Sequence, residues 1–135
     1  MKRPDTSISE RERRREDRVA ARFPLEYFFI HASEQRHTKQ FRRGHTHNVS
    51  PHGVFFEADV VDPSIIPLAM QGEIQIAVRV TAPDLRTIEG TTRLAWAEPV
   101  KADGKHRFFV GVEYLDVSEG DAKYLYDAAC DQADR

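Results

Sequence analysis

Apolar and polar residues alternate through the middle of the chain. Glu73-Ile74-Gln75-Ile76-Ala77-Val78-Arg79-Val80 repeats with period two, which predicts a strand with one buried face. Thr87 to Trp96 continues the pattern, with Ile88, Gly90, Thr92, Leu94 and Trp96 expected on one face. His106 to Leu115 repeats it through Phe108, Val110, Val112 and Tyr114. Upstream, Arg22 to His31 (RFPLEYFFIH) is dense in aromatic and branched residues and too short for a typical buried helix, so it predicts a strand. Phe41 to Val49 and Val54 to Ala58 predict two more, on either side of a turn. Phe28-Phe29 and Phe55-Phe56 are adjacent pairs, so one member of each must face away from the core. An exposed member would mark a partner surface or a helix dock.

Breaks in the pattern set the connections. Ala32 to Gln40 reads as a polar loop, and Asp62-Pro63 with Ile66-Pro67 predicts an irregular connection. Ala82-Pro83-Asp84 and Lys101 to Lys105, with Asp103-Gly104, predict turns. Ser118 to Asp134 is the clear helix, about 118–133, with Ser118 as its cap, Asp121 at the capping-box distance, and Leu125, Ala129 and Ala122 as a thin apolar stripe. About six strands at short spacing followed by one helix predict an all-β domain, either an antiparallel barrel or a strongly curved sheet. Closure would remove exposed edges.

Residues 1–18 contain Ile8 as their one large apolar side chain after Met1, so they cannot join a core and read as an arm before a single domain at 19–135. Ser9 to Glu12 has capping-box form and Glu10/Arg14 the helix-supporting spacing, so the arm reads either as a short solvated helix or as a segment ordered only by a ligand. The net charge of −2 conceals an asymmetry: residues 1–18 carry seven Lys/Arg against five Asp/Glu, residues 116–135 two against six. An acidic C-terminus and a basic character confined to the arm argue against an oligonucleotide-binding barrel. Cys130, the single cysteine, allows no intramolecular disulfide and no metal framework, and it suits a reducing cytoplasm. No signal peptide or membrane span is expected.

Two short motifs carry the candidate chemistry. Arg13, Arg14, Arg15 and Arg18 put guanidinium forks close together, suited to phosphate or to guanine O6/N7, although Glu12, Glu16 and Asp17 can neutralise them locally in a plain charged arm. Asn48-Val49-Ser50-Pro51-His52-Gly53 consists of ordinary turn residues, yet Asn48 and Ser50 stand two apart at a strand end. Gly53 permits a positive φ or a close backbone approach. His45, His47 and His52 lie near the turn, where they read as surface histidines able to tune ligand binding with pH rather than as a metal site. Trp96 reads as a core or rim aromatic that could also stack a base at a barrel mouth. Ser50 has no base at a recognisable spacing, and Gly104 and Gly111 form no phosphate loop, so no enzyme signature emerges.

Taken together, Arg14-x-x-x-Arg18 before the first strand and Asn48-x-Ser50-x-x-Gly53 between the second and third resemble the two signatures of the PilZ domain, a family of bacterial cyclic di-GMP receptors. The resemblance extends through Phe23-Pro24-Leu25-Glu26-Tyr27, Leu94-Ala95-Trp96 and Val110-Gly111-Val112-Glu113-Tyr114. It implies a six-stranded antiparallel barrel with a C-terminal helix and a ligand on the barrel's outer surface. It also implies that Arg14 and Arg18 grip guanine and phosphates with Arg15 as a further contact, and that Asn48, Ser50 and Gly53 receive the other guanine edge and the backbone. Asn48 stands where the family more often has Asp, and an amide offers one acceptor where a carboxylate offers two. No cofactor is implied beyond the ligand. The implied function is a cytoplasmic receptor that orders its arm over cyclic di-GMP and signals to a protein partner in motility, adhesion or biofilm control. The competing expectation is a degenerate adaptor of the same fold that binds proteins only.

Overall fold

The computed structural model describes residues 17–31, 41–60, 62–100 and 107–133. Among these residues, seven strands and two helices follow one another as β1 (Val19–Ala20), β2 (Pro24–His31), β3 (Arg42–Ser50), β4 (Gly53–Asp59), α1 (Ile65–Met70), β5 (Ile74–Thr81), β6 (Thr87–Pro99), β7 (Arg107–Asp116) and α2 (Glu119–Ala133). Every pairing is antiparallel, in the order β3-β2-β5-β6-β7-β4, and β4 pairs back onto β3. The result is a closed six-stranded barrel with the short β1 added alongside β3.

Period two fills the barrel. Leu25 and Tyr27 of β2, Ile74 to Val80 of β5 at alternate positions, and Val110 and Val112 of β7 all point inward and are buried. Each large side chain so removed from water contributes roughly 1.5–3 kcal/mol. In the adjacent phenylalanine pairs, Phe56 is buried while Phe55 faces out, and Phe28 lies on the outside with its ring 4.7 Å from Phe41. α2 closes one end of the barrel with Ala122, Leu125 and Ala129, and Ser118 Oγ accepts the Asp121 N–H at 3.1 Å.

Two sequence expectations need correction. The connection after Asp62 is not irregular throughout but contains α1, where Pro67 falls in the first turn and its missing donor is not required. Trp96 does not share the inner face of Ile88, Thr92 and Leu94. Register shifts at Thr91/Thr92 and Leu94/Trp96 break the alternation, and Trp96 turns outward over Gly111. The strand expected over Arg22 to His31 forms as β2 from Pro24, and β1 precedes it across a break at Ala21 to Phe23. Buried Thr46 spans that break: its hydroxyl donates to Ala21 O at 2.6 Å and accepts the Phe23 N–H at 2.9 Å. The expected loop at 32–40, the turn at 101–105 and the capping box at 9–12 lie outside the described residues.

Candidate functional site

β3 and β4 meet in the two-residue turn Pro51-His52. Ser50 Oγ accepts the N–H groups of Gly53 at 3.1 Å and His52 at 3.3 Å and donates to Gly53 O at 3.2 Å, so the hydroxyl staples its own turn. His52 O accepts the Tyr114 N–H at 2.8 Å, tying the turn to β7. Gly53 is required by close approach rather than by its φ: a Cβ there would stand 1.8 Å from Val112 O. Asn48 owes its orientation to a β-bulge. Thr46 pairs with Phe56 and Asn48 with Phe55, leaving His47 as the extra residue, so both His47 and Asn48 lie between the inward-facing Thr46 and Val49. Half-buried, the Asn48 amide has no hydrogen-bond partner among the described residues.

Register brings the upstream motif to this turn. β1 pairs Val19 with Val49 and Ala20 with Asn48, so Arg18, the residue before β1, enters from the Ser50 end of β3. The outer face then reads as two rows across the barrel. One runs Ala20, Asn48, Phe55, Gly111, Trp96, and the next Ser50, Gly53, Glu113, Arg93. Aromatic rings cover the first row: Phe55 lies 5.0 Å from Trp96 and 5.8 Å from Phe109, and His47 meets Phe55 edge-on at 5.4 Å. Gly111 makes room for this layer, since a Cβ on it would stand 2.1 Å from the Trp96 Nε1. The His45 ring lies 5.2 Å from the His47 ring at a tilt of 34°, and burial, with Arg22 and His47 nearby, lowers the His45 pKa from its ordinary value. Among the described residues no group of three or more His, Cys, Asp or Glu side chains could hold a metal.

The chain matches the family model of the PilZ domain over residues 12–128, most of its length. It belongs to the PilZ domain family. Solved structures with this PilZ fold include the Bacillus subtilis inhibitor of motility, MotI/DgrA, at TM-score 0.59 and 16% identity, covering 85% of this chain and 48% of that one. The PilZ domain with c-di-GMP of YcgR from Escherichia coli gives TM-score 0.55 at 14% identity, covering 87% of this chain and 88% of that one. The Borreliella burgdorferi PlzA protein in complex with c-di-GMP gives 0.54 at 11%, covering 91% and 55%. The chain thus spans about half the length of the Bacillus and Borreliella chains. Likeness at such low identity speaks for the fold alone. No curated protein matches the sequence.

Of the residues singled out in this PilZ sequence, the fold gathers Arg18, Asn48, Ser50 and Gly53 around one turn, while Arg14 and Arg15 lie outside the described residues. Sequence reasoning did not place Phe55, Phe109, His47, Arg93 and Glu113 on the same face. A glycine between two strand valines, Val110-Gly111-Val112, was the available signal, because such a glycine marks a close approach from outside the strand. No described helix is long and apolar enough to cross a membrane.

Proposed function

We propose that this PilZ domain is a cytoplasmic receptor for cyclic di-GMP, that its arginine-rich arm closes over the ligand, and that it signals to a protein partner in motility, adhesion or biofilm control. One observation carries the reading: β1, which Arg18 immediately precedes, pairs with β3 at Asn48 and Val49, beside a row that offers an unpartnered amide and an aromatic layer. The c-di-GMP in the Escherichia coli and Borreliella structures supports the choice of ligand.

In this reading Arg14, Arg15 and Arg18 supply forked donors to phosphate and guanine oxygens. The Asn48 amide oxygen accepts from a guanine N–H. Gly53 and Gly111 keep the floor low, and Trp96 with Phe55 offers a base a face to stack on. Calorimetric titration tests it: saturable binding in the micromolar range or tighter is expected, abolished by Arg14→Ala and by Arg18→Ala and weakened by added salt. An absence of saturable heat with the unaltered chain sinks the proposal.

One observation favours the adaptor reading instead. The Ser50 hydroxyl is already engaged within its own turn, as a purely structural serine would be. An adaptor would keep every protein interaction after deletion of residues 1–18 and show no nucleotide-dependent rise in melting temperature.

A further inference from the structure

Neither motif contains the cation that β6 adds to this face. Arg93 Nη2 lies 2.7 Å from Glu113 Oε1, and Glu113 is the register partner of both Arg93 and Gly53. The carboxylate is the sunken member of the pair and the guanidinium the outer one, with side-chain exposures of 17% and 55%. A guanidinium has five N–H donors, and Glu113 is the one partner of Arg93 among the described residues. The rest of the fork is open to a ligand, and its direction is held by a charge-assisted bond.

The neighbourhood decides what such a fork can read. Arg93 ends the row Ser50, Gly53, Glu113, and Trp96 ends the row Asn48, Phe55, Gly111, one pleat repeat away on β7. Rows two residues apart are separated by about 6.8 Å, on the order of the width of a purine. A base stacked on Trp96 and Phe55 therefore turns its edge toward Arg93 rather than its face. Two parallel N–H donors match guanine O6 and N7, whereas adenine places an N6 donor at the same position and repels one arm of the fork.

We propose that Arg93, positioned by Glu113, is a specificity-determining contact that reads the O6/N7 edge of a guanine on this face. The inference rests on the cyclic di-GMP reading above. It places one recognition group on the barrel wall, on β6.

The test is calorimetry of the full chain with cyclic di-GMP and cyclic di-AMP, for the unaltered protein, Arg93→Ala, Arg93→Lys and Glu113→Gln, with melting temperatures measured alongside. Arg93→Ala is expected to weaken cyclic di-GMP binding about tenfold or more, the order of a hydrogen bond from a charged group, and to shrink the preference over cyclic di-AMP equally. Arg93→Lys does not restore the preference, because a point charge has no fork. Glu113→Gln lowers the preference in the same direction with little change in melting temperature. Unchanged cyclic di-GMP affinity in Arg93→Ala overturns the inference and leaves the receptor reading standing. Equal loss for both dinucleotides also overturns it, since the contact would then be to phosphate. An unaltered chain that binds neither dinucleotide overturns both readings.

Discussion

Two tyrosines, fully buried Tyr27 and half-buried Tyr114, have opposite hydrogen-bond status. The Tyr27 hydroxyl accepts the Asp59 N–H at 2.7 Å, whereas the Tyr114 hydroxyl is buried with no partner among the described residues. Burial raises the pKa of both phenols, so neither ionises at neutral pH. Tyr27→Phe is expected to cost about 1–2 kcal/mol in urea unfolding, because it leaves a backbone donor unpaired. Tyr114→Phe is expected to be neutral or stabilising by about 1 kcal/mol, since it removes an unsatisfied group and keeps the ring. A clear loss of stability in Tyr114→Phe would show that the hydroxyl has a partner. At Gly53 the motif was legible in the sequence, but the reason for the glycine was not. Turn composition is local, whereas the obstruction to a Cβ is Val112 O, far along the chain on β7. Gly53→Ala is accordingly expected to destabilise by about 2 kcal/mol or more, well beyond an ordinary turn substitution.

Among the elements, β1 is two residues long, and Thr46 anchors the break that follows it. Thr46 holds the Ala21 carbonyl and the Phe23 amide at the break between β1 and β2. Thr46→Val keeps the shape but leaves both groups unpaired, at a cost of about 1–3 kcal/mol. It also frees the segment that carries Arg18, so cyclic di-GMP affinity is expected to fall in Thr46→Val and to survive in Thr46→Ser. Equal affinity in both variants would separate Arg18 from the Thr46 anchor. The sequence hid this arrangement because a strand threonine reads as a β-former, and a two-residue strand has too few residues to show a period. α2 was legible from its cap and stripe, but its latch was not. Tyr124 hydrogen-bonds Asp84 in the β5–β6 turn, and Arg86 pairs with Asp121 at 2.8 Å with its guanidinium 4.3 Å from the Tyr124 ring centre. The Tyr124 hydroxyl first, and then the Arg86 backbone N–H, hold the Asp84 carboxyl below its ordinary 3.8. A depressed carboxyl contributes stability above its unfolded pKa and loses it as pH falls through the folded value. The Asp84 contribution to helix docking should therefore persist at neutral pH and fade below about pH 4. Thermal unfolding of Asp84→Asn at pH 3 and pH 6 should show a smaller acid-induced drop than the unaltered protein, and an identical drop would remove Asp84 from the account.

For the whole molecule, the residues alone left barrel and curved sheet open. Strand existence follows from local alternation, but closure depends on β4 returning to β3 while also pairing with β7, three strands further along the chain. That closure builds the candidate face out of four strands in one barrel wall, so ligand binding and folding are linked through a single body. A ligand that binds only the folded state adds about 2.7 kcal/mol at one hundred times its dissociation constant. For a domain of 135 residues, about 3–5 °C per kcal/mol is reasonable, which gives a rise of about 10 °C in melting temperature. The formal net charge of −2 gives the molecule no long-range attraction for an anion, so the attraction must come from local cations. Raising salt should therefore shrink the ligand-induced rise while leaving the unliganded melting temperature nearly fixed. Arg18→Ala should remove the rise altogether with a small effect on the unliganded protein, because Arg18 precedes β1 and is not among the buried core residues. If Arg18→Ala instead lowers the unliganded melting temperature by as much as it lowers the liganded one, Arg18 serves the fold, and the receptor reading loses the residue that joins its two motifs.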